Sequence, residues 1–427
     1  MIKYGLSSLE KQTAKELWLH CFSDSLEYTN YYFENIFSIS KFLFFTDENN
    51  KILSGLNENS YIHNFNGILK PISFIVGAGT FKEYRNLGIF SQLLIQSLKN
   101  SFSRDENEIF LIPAVPDLYK KFGFQFTHFL EKYNFKSIEL NNISLETIDC
   151  HDFQVTPLEF SLTKLNNLNS FYENFQYFEK SFNFYKESIS KFNSTLLETK
   201  ETFFKFLHEL YFETGTFYTV ISKNQVVGVF SLNISKNIID INNFFFQNKN
   251  SFFKTFSFID SFSKLNPQYE EINITVPLHS NLESLLKESF IYNKTISPFI
   301  MMRITNVRLS LYDFFNNFIK TNHADSFEIV IQVKDNFLFQ NTGYFHIIYN
   351  LENPSFNINK ITIDHLKEQQ LKIDFSSSIE TLTLLLYGVD DFITVLKEEK
   401  INLRSSHNLV LFQNSFIKKT NYIHKYV

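Results

Sequence analysis

Two neighbouring stretches decide the reading of this chain: Phe74–Leu98, FIVGAGTFKEYRNLGIFSQLLIQSL, and Glu108–Phe124, EIFLIPAVPDLYKKFGF. In the first, an apolar run (Phe74, Ile75, Val76) ends in the small residues Gly77, Ala78 and Gly79, as a strand running into a turn does. A polar turn follows at Lys82–Asn86, then Gly88, then a helical pattern with Ile89, Leu93, Leu94 and Leu98 on one face. Strand, turn and helix N-terminus together make an anion site, because free backbone N–H groups and the positive end of the helix dipole converge there. Arg85 adds a planar cation with bidentate reach for phosphate, and Gly88 allows close approach of the backbone to a ligand. An ordinary strand–turn–helix unit would look much the same. In the second stretch, Glu108–Ala114 reads as another strand, stopped by Pro113 and Pro116.

Arg85-x-x-Gly88 opening a helix, then a strand, then Y-x-x-F-G-F at Tyr119–Phe124 resembles the GNAT acyl-CoA-dependent N-acetyltransferases. The longer string I-P-A-x-P-x-x-Y-x-x-F-G-F, Ile112–Phe124, is similar to the enhanced intracellular survival (Eis-like) subfamily, whose known members include aminoglycoside and polyamine acetyltransferases. The resemblance implies acetyl-CoA as cosubstrate. Its pyrophosphate would lie on Arg85, Asn86, Leu87, Gly88, Ile89, Phe90 and Ser91. Its pantetheine arm and thioester would run along Ala78, Gly79 and Thr80, with Ala114 and Val115 on the far side. Phe90 departs from the Gly or Ala usual in GNAT proteins; the Eis-like branch also carries a larger residue there. The implied fold is α+β, with two tandem GNAT-like domains followed by a sterol-carrier-like α+β C-terminal domain. The implied assembly is a homo-oligomer, in this family often a hexamer.

Bulk properties fit an enzyme better than a nucleic-acid binder. The 427 residues are enough for several domains, and 44% are hydrophobic, with 53 Phe, so a large core is expected. The net charge of −5 lacks the basic excess that nucleic acid asks for and suits a cationic substrate. Cys21 and Cys150 are too few for a disulfide framework and read as free thiols of a reducing cytoplasm. Neither a signal core nor an apolar run long enough for a membrane span is evident, so a cytoplasmic protein is expected. The His residues show no metal-ligand spacing, and no metal is expected.

Along the chain, residues 1–145 form the expected catalytic domain. Ser8–Phe37 reads as two helices divided at Ser23-Asp24-Ser25, and Phe42–Thr46, Lys51–Leu56, Tyr61–Phe65 and Ile72–Thr80 read as strands, with Phe126–Phe135 a further one. The family's acceptor wall lies near the first helices, where Asp24 and Glu27 could draw in a protonated amine; the reading favoured by residue type is Asp24 as a helix cap and Glu27 as a solvated charge. Residues 146–305 read as a second, degenerate GNAT-like domain. Its helices are expected at Phe171–Phe192, Ser194–Tyr211, Phe252–Leu265 and Leu282–Ser289. Its strands are expected at Phe217–Ile221, Val226–Asn233, Ile238–Phe246 and Glu271–Val276. Between Ile241 and Phe258 it has neither a glycine nor R-x-x-G. Pro298–Val307 matches the stretch that joins the subfamily's second and third domains. Residues 306–427 read as the third domain, with a helix at Leu309–Ile319 and strands at Ser326–Val333, Gly343–Tyr349, Ile361–Ile363 and Leu371–Phe375. Val333–Asp335, Asn341–Phe345 and Glu380–Gly388 are similar to the family's third domain.

Acetyl transfer to an amine needs a polarised carbonyl, a neutral amine and a proton for the departing thiolate. Backbone N–H groups at Ala78–Thr80 would polarise the carbonyl. A thiol titrates near ~8.5 and a phenol near ~10, so a neighbouring tyrosine is matched to protonate the sulfur. The motif aligns Tyr119 with the family's general acid; packing is its alternative role. The resemblance assigns the base to the chain's own C-terminal carboxylate, here that of Val427, although the tail Tyr422-Ile-His424-Lys-Tyr426-Val427 departs from the family's aromatic–acidic–aromatic ending. A carboxylate near ~3.5 is a weak base toward an ammonium near ~10, so its part would be to orient the amine and pass its proton to water. His424 is an alternative base. The substrate so implied is a small cationic amine, aminoglycoside- or polyamine-like. A protein amine is an alternative acceptor, and a catalytically idle acyl-CoA-binding or assembly module is the alternative from another class.

Overall fold

The computed structural model describes residues 1–5, 7–38, 41–136, 153–158, 177–286 and 291–424. Cys150, the expected helix residues 171–176 and 287–289, and Val427 lie outside the described residues. The fold is mixed α+β, in two compact units. One comprises Met1–His128, Asn193–Leu197 and Pro298–Asn421; the other comprises Phe129–Phe192, Glu198–Ser297 and the tail from Tyr422.

The first unit opens with β1 (Ile2–Tyr4), α1 (Ser8–Cys21), α2 (Leu26–Asn35), β2 (Phe42–Thr46), β3 (Ile52–Phe65), β4 (Ile68–Thr80), α3 (Ile89–Ser103), β5 (Glu108–Leu111) and α4 (Asp117–Lys120). β6 (Gln125–Lys136) then carries the chain out of it. The sheet runs β1-β2-β3-β4-β5 and continues with the end of the strand Asn293–Ile304, whose Met301–Ile304 pair antiparallel with Leu111–Glu108. α3 lays Leu93, Leu94 and Leu98, all wholly buried, into a cluster with Ile109, Leu111, Phe122 and Phe124. The same unit holds a five-stranded sheet in the order Ser355–Ile361, Gly343–Asn350, Phe327–Lys334, Phe375–Ser378, Ile401–Leu403, with the helix Val307–Asn322 among its helices. Phe314 of that helix stacks on Phe416 at 4.9 Å, and Phe375, Phe392 and Phe412 complete an aromatic core.

In the second unit the order is β6, Glu271–Pro277, Ile238–Phe246, Gln225–Ser235, Gly215–Ser222, Phe153–Pro157. Lys223 and Asn224, both at positive φ, make a two-residue hairpin turn between two of these strands. Phe230, Phe244, Phe252 and Phe256 fill the core beside them.

Some elements differ from expectation, each for a local reason. The two strands expected at Lys51–Leu56 and Tyr61–Phe65 are one, β3, because the polar residues between them are paired rather than solvated. Glu58 lies 2.9 Å from Arg104 Nη1, and Asn59 accepts from Tyr32 Oη at 3.3 Å. The helix expected from Ser194 begins at Lys200, capped by Thr199; Ser194–Leu196 instead pairs with His63–Phe65 of β3. Ile361 ends a strand, and Thr362 caps the helix Ile363–Glu368. The strand expected at Leu371–Phe375 starts only at Phe375.

The inserted strand Ser194–Leu196 is anchored by a buried polar relay. Ser194 Oγ sits 2.8 Å from His63 Nε2 and 3.1 Å from His128 Nε2. Glu108 faces His63 Nδ1 at 3.7 Å and is itself bound by Lys70 Nζ at 2.9 Å; Asp313 also takes Lys70, at 3.3 Å. Burial, with His63 nearby, pushes the His128 imidazole down to about 3; burial also lowers His63, despite Glu108. Unfolded histidines titrate near ~6.5. Stability is therefore complete above that pH and is lost as the pH falls toward the folded value. The expected slope is at most about 1.4 kcal/mol per pH unit for each imidazole. Urea denaturation from pH 7.5 to 4 should show this acid limb, and His128→Gln should flatten it; equal slopes in the two proteins would refute the assignment.

Candidate active site

β4 and β5 run parallel and pair over three positions, Ser73↔Ile109, Phe74↔Phe110 and Ile75↔Leu111. Past this register they part. β5 ends at Leu111, just before Pro113, which lacks the N–H a ladder needs. On the other side, the β3–β4 register slips between Gly55 and Asn57, and Gly77 turns to φ +59°. A Cβ at Gly77 would lie 2.7 Å from the Trp18 ring, so the indole covers the kink. Trp18 is in turn fixed by donating its Nε1–H to Asp24 Oδ2 at 2.8 Å.

A cavity of about 620 Å³ opens where the strands part, within the size range of small-molecule sites. Ala78, Gly79 and Thr80 form one wall; Ala114, Val115, Leu118 and Tyr119 form the other. Its end is the turn into α3. A short 3₁₀ turn at Lys82–Tyr84 leads to Asn86 and Gly88, at φ +64° and +73°, and Gly88 is the N-cap. No side chain caps α3, so its first N–H groups are left for a ligand. The contrast with Lys249–Leu265 in the other unit is direct: there Asn248 Oδ1 accepts from Ser251 N at 3.0 Å and closes the helix end. Arg85 donates Nε–H to Thr80 O at 3.1 Å and remains exposed beside the cavity.

Tyr119 lies on the short helix α4, within the turn closed by Phe122 N donating to Tyr119 O at 2.9 Å. Its ring meets Phe90 and Phe124 edge-on, at 5.7 and 5.9 Å. The residue is 8% exposed, and burial pushes its phenol up to about 12, so it keeps its proton at neutral pH. The Phe90 ring thus supports Tyr119 from the position where a small residue is usual.

Of the residues singled out from the sequence, those at Ala78–Thr80, Arg85–Asn86, Gly88–Ser91, Ala114–Val115 and Tyr119 line this one cavity. Leu87 does not; it is 64% exposed. Asp24 and Glu27 are exposed and do not line it either. Ser25, not Asp24, caps α2, accepting from Tyr28 N. Val427 is outside the described residues. His424, in the other unit, is buried; burial lowers its imidazole to about 4, against one opposing backbone hydrogen bond. Sequence reasoning missed Cys21, Phe22, Tyr84, Leu118 and Lys121 as lining residues. Lys121, two residues past Tyr119, was readable as a second cation for an anionic ligand. Cys21 and Phe22, at the end of α1, gave no such signal.

Fold and sequence point to an acyltransferase of the GNAT kind. Residues 5–127 match the family model of the acetyltransferase (GNAT) domain, whose members use acetyl-CoA. No curated protein matches the chain in sequence. Among solved structures, a conserved protein from Enterococcus faecalis V583, described as a probable N-acyltransferase, is similar with a TM-score of 0.76 at 14% identity over 99% of both chains. A GCN5-related N-acetyltransferase from Anabaena variabilis gives 0.74 at 18% over 100% of both. Eis1 from Mycobacterium abscessus gives 0.69 at 13%, again over 100% of both. At these identities the likeness is one of fold. Among the described residues no helix is long and apolar enough to cross a membrane, and no group of three or more His, Cys, Asp or Glu is placed to hold a metal ion.

The kink under Trp18 is testable. Gly77→Ala adds a methyl that the indole must yield to, at a positive φ. It should lower stability by about 1–3 kcal/mol, read from the urea midpoint; an unchanged midpoint would show that the indole moves freely.

Proposed function

We propose that the protein is an acetyl-CoA-dependent N-acetyltransferase of the Eis-like type, acting on the amine groups of small cationic substrates. The observation that carries this reading is that a buried, protonated phenol, an uncapped helix N-terminus and a stretch of β4 unpaired on its β5 side line one cavity. Acetyl-CoA would supply an activated acetyl thioester. Arg85, with the N–H groups of Gly88–Ser91, holds the anionic part of that ligand. Backbone donors of Ala78–Thr80 polarise the carbonyl. Tyr119 holds a proton at its phenol oxygen for the departing sulfur. Desolvation raises phenol and thiolate alike, so burial of both keeps them within reach of one another in acidity.

The remaining assignments belong to the same reading. Domains at 1–145, 146–305 and 306–427 are two tandem GNAT-like domains and a sterol-carrier-like domain, in a cytoplasmic homo-oligomer. The Val427 carboxylate serves as base, and Asp24 and Glu27 attract the cation from the acceptor side. What supports the cationic substrate is the acidic net charge and the resemblance in Ile112–Phe124.

Thiol release from acetyl-CoA, followed against aminoglycosides, spermidine and a lysine peptide, tests the reading. Turnover of the small amines should fall about 10²- to 10⁴-fold in Tyr119→Phe with the acetyl-CoA KM nearly unchanged. Turnover of the peptide alone would move the substrate class to protein amines, and tight CoA binding without any turnover would leave a binding module. Separately, Arg85→Ala should raise the acetyl-CoA KM about ten- to a hundredfold, the worth of a charged hydrogen bond; unaltered kinetics would remove Arg85 from the site.

A further inference from the structure

Arg303 is wholly buried, and each arm of its guanidinium has a defined acceptor. Nε donates to Phe122 O at 2.7 Å, Nη1 donates to Ile304 O, and Nη2 donates to Asp335 Oδ1 at 2.6 Å. Asp335 is as fully engaged. Its Oδ1 also accepts from the N–H groups of Phe337 and Leu338 at 2.9 and 3.0 Å, and its Oδ2 accepts from Asn341 Nδ2 at 3.0 Å. Asn341 Oδ1 in turn accepts from Val307 N. Burial alone would raise the Asp335 carboxyl, but the Arg303 charge and these hydrogen bonds hold it below the usual range. The Asp335 carboxylate is therefore locked in place, and each of the three guanidinium nitrogens is engaged.

The acceptor Phe122 O lies at the end of the turn that carries Tyr119. Phe122 N donates to Tyr119 O at 2.9 Å, so two hydrogen bonds separate Arg303 from the Tyr119 backbone. Phe122 is gripped again through its ring, 4.9 Å from Phe337, and Leu338 joins the apolar cluster that contains Tyr119, Phe122 and Phe124. Gly123 completes the arrangement. It turns at φ +88°, and a Cβ there would lie 3.3 Å from Arg303 Nε, 3.1 Å from Ile379 Cγ2 and 3.6 Å from Glu380 Oε1. Three separated signatures of the sequence, Tyr119–Phe124, Pro298–Val307 and Glu380–Gly388, thus meet around one glycine.

We propose that Arg303, held by Asp335, is a positioning residue for the acetyltransferase reaction, setting the Phe122 carbonyl and through it the placement of Tyr119. The inference rests on Tyr119 as general acid. It assigns a catalytic consequence to residues 298–341, which lie outside the segment that matches the GNAT domain family. A buried ion pair by itself adds little stability over well-packed apolar side chains. A guanidinium fork, by contrast, fixes a carbonyl in direction as well as distance, which lysine cannot do.

The test is a double-mutant cycle in the full-length protein: Arg303→Lys, Tyr119→Phe and the double variant, each with kcat, acetyl-CoA KM and melting temperature. Arg303→Lys should lower kcat about ten- to a hundredfold, the cost of a misplaced catalytic group, with the acetyl-CoA KM unchanged, since the Arg85 loop is untouched. On the Tyr119→Phe background the same change should cost no more than about twofold, because the group it positions is gone. A purely structural arginine would give losses that multiply, and that outcome, or an unaltered kcat in Arg303→Lys, overturns the proposal. Turnover untouched by Tyr119→Phe is a different result and defeats the general-acid reading itself. Where Arg303→Lys does not fold, Asp335→Asn takes its place in the cycle. It keeps the shape and an acceptor but removes the charge that locks the fork, and the same non-additivity is expected.

Discussion

β4 and β5 share only three paired positions before they part, and the proposed site exists because of that separation. Inside a sheet each strand spends its N–H and C=O groups on its neighbours, and a strand that loses its neighbour must find other partners for them. Here the parting is enforced from both sides by residues of different kinds. Pro113 and Pro116 carry no N–H and so leave fewer orphaned groups on the β5 side. On the β4 side, Gly77 kinks under the Trp18 ring. A slender ligand with its own donors and acceptors completes such a wedge, whereas a bulky rigid one could not follow the strand.

Helix ends supply the charge selectivity. α3 begins without a side-chain cap, at a glycine, beside an exposed arginine. No side chain competes for its first-turn N–H groups, so an anion has only water to displace from them. The comparable long helix of the other unit, Lys249–Leu265, carries a reciprocal cap: Ser251 N donates to Asn248 Oδ1 and Asn248 N donates to Ser251 Oγ. The difference lies in the cap residues, and it separates a binding helix from a packing helix with a similar apolar face.

Features written in consecutive residues were legible in the sequence. The turn from Thr80 to Gly88, the apolar face of α3 and the Tyr119–Phe124 motif depend on neighbours a few positions away, and the expected residues Ala78–Thr80, Arg85, Asn86 and Gly88–Ser91 line one cavity. Leu87, in the same loop, points its side chain to solvent. The polar centre of β3 was unreadable for the opposite reason. Asn57, Glu58 and Asn59 look like a break, and only Tyr32 and Arg104, distant in sequence, make them strand residues. Ser194 likewise has the helical pattern of its followers, yet the side chains that claim it are His63 and His128. Asp24 was read as a cap or a substrate group; the cap is Ser25, and Asp24 accepts from the indole that covers Gly77, a contact that the sequence did not show.

The same distinction bears on how far a catalytic domain extends. The match to the GNAT family stops at residue 127, and residues up to that point contain the wedge, the anion loop and the phenol. They do not contain the acceptors that hold the phenol's turn in place. Phe122 O would be left without its buried donor if Arg303 were absent, and Arg303 would be a buried charge without Asp335. Unpaired groups of this kind cost more than their pairing gains, so the turn and the later segment are obliged to each other. Gly123 is the geometric expression of that obligation: any larger residue would press on both Ile379 and Arg303. A sequence signature at Pro298–Val307 that looked like a connector between domains is therefore also a surface against which the tyrosine turn is built.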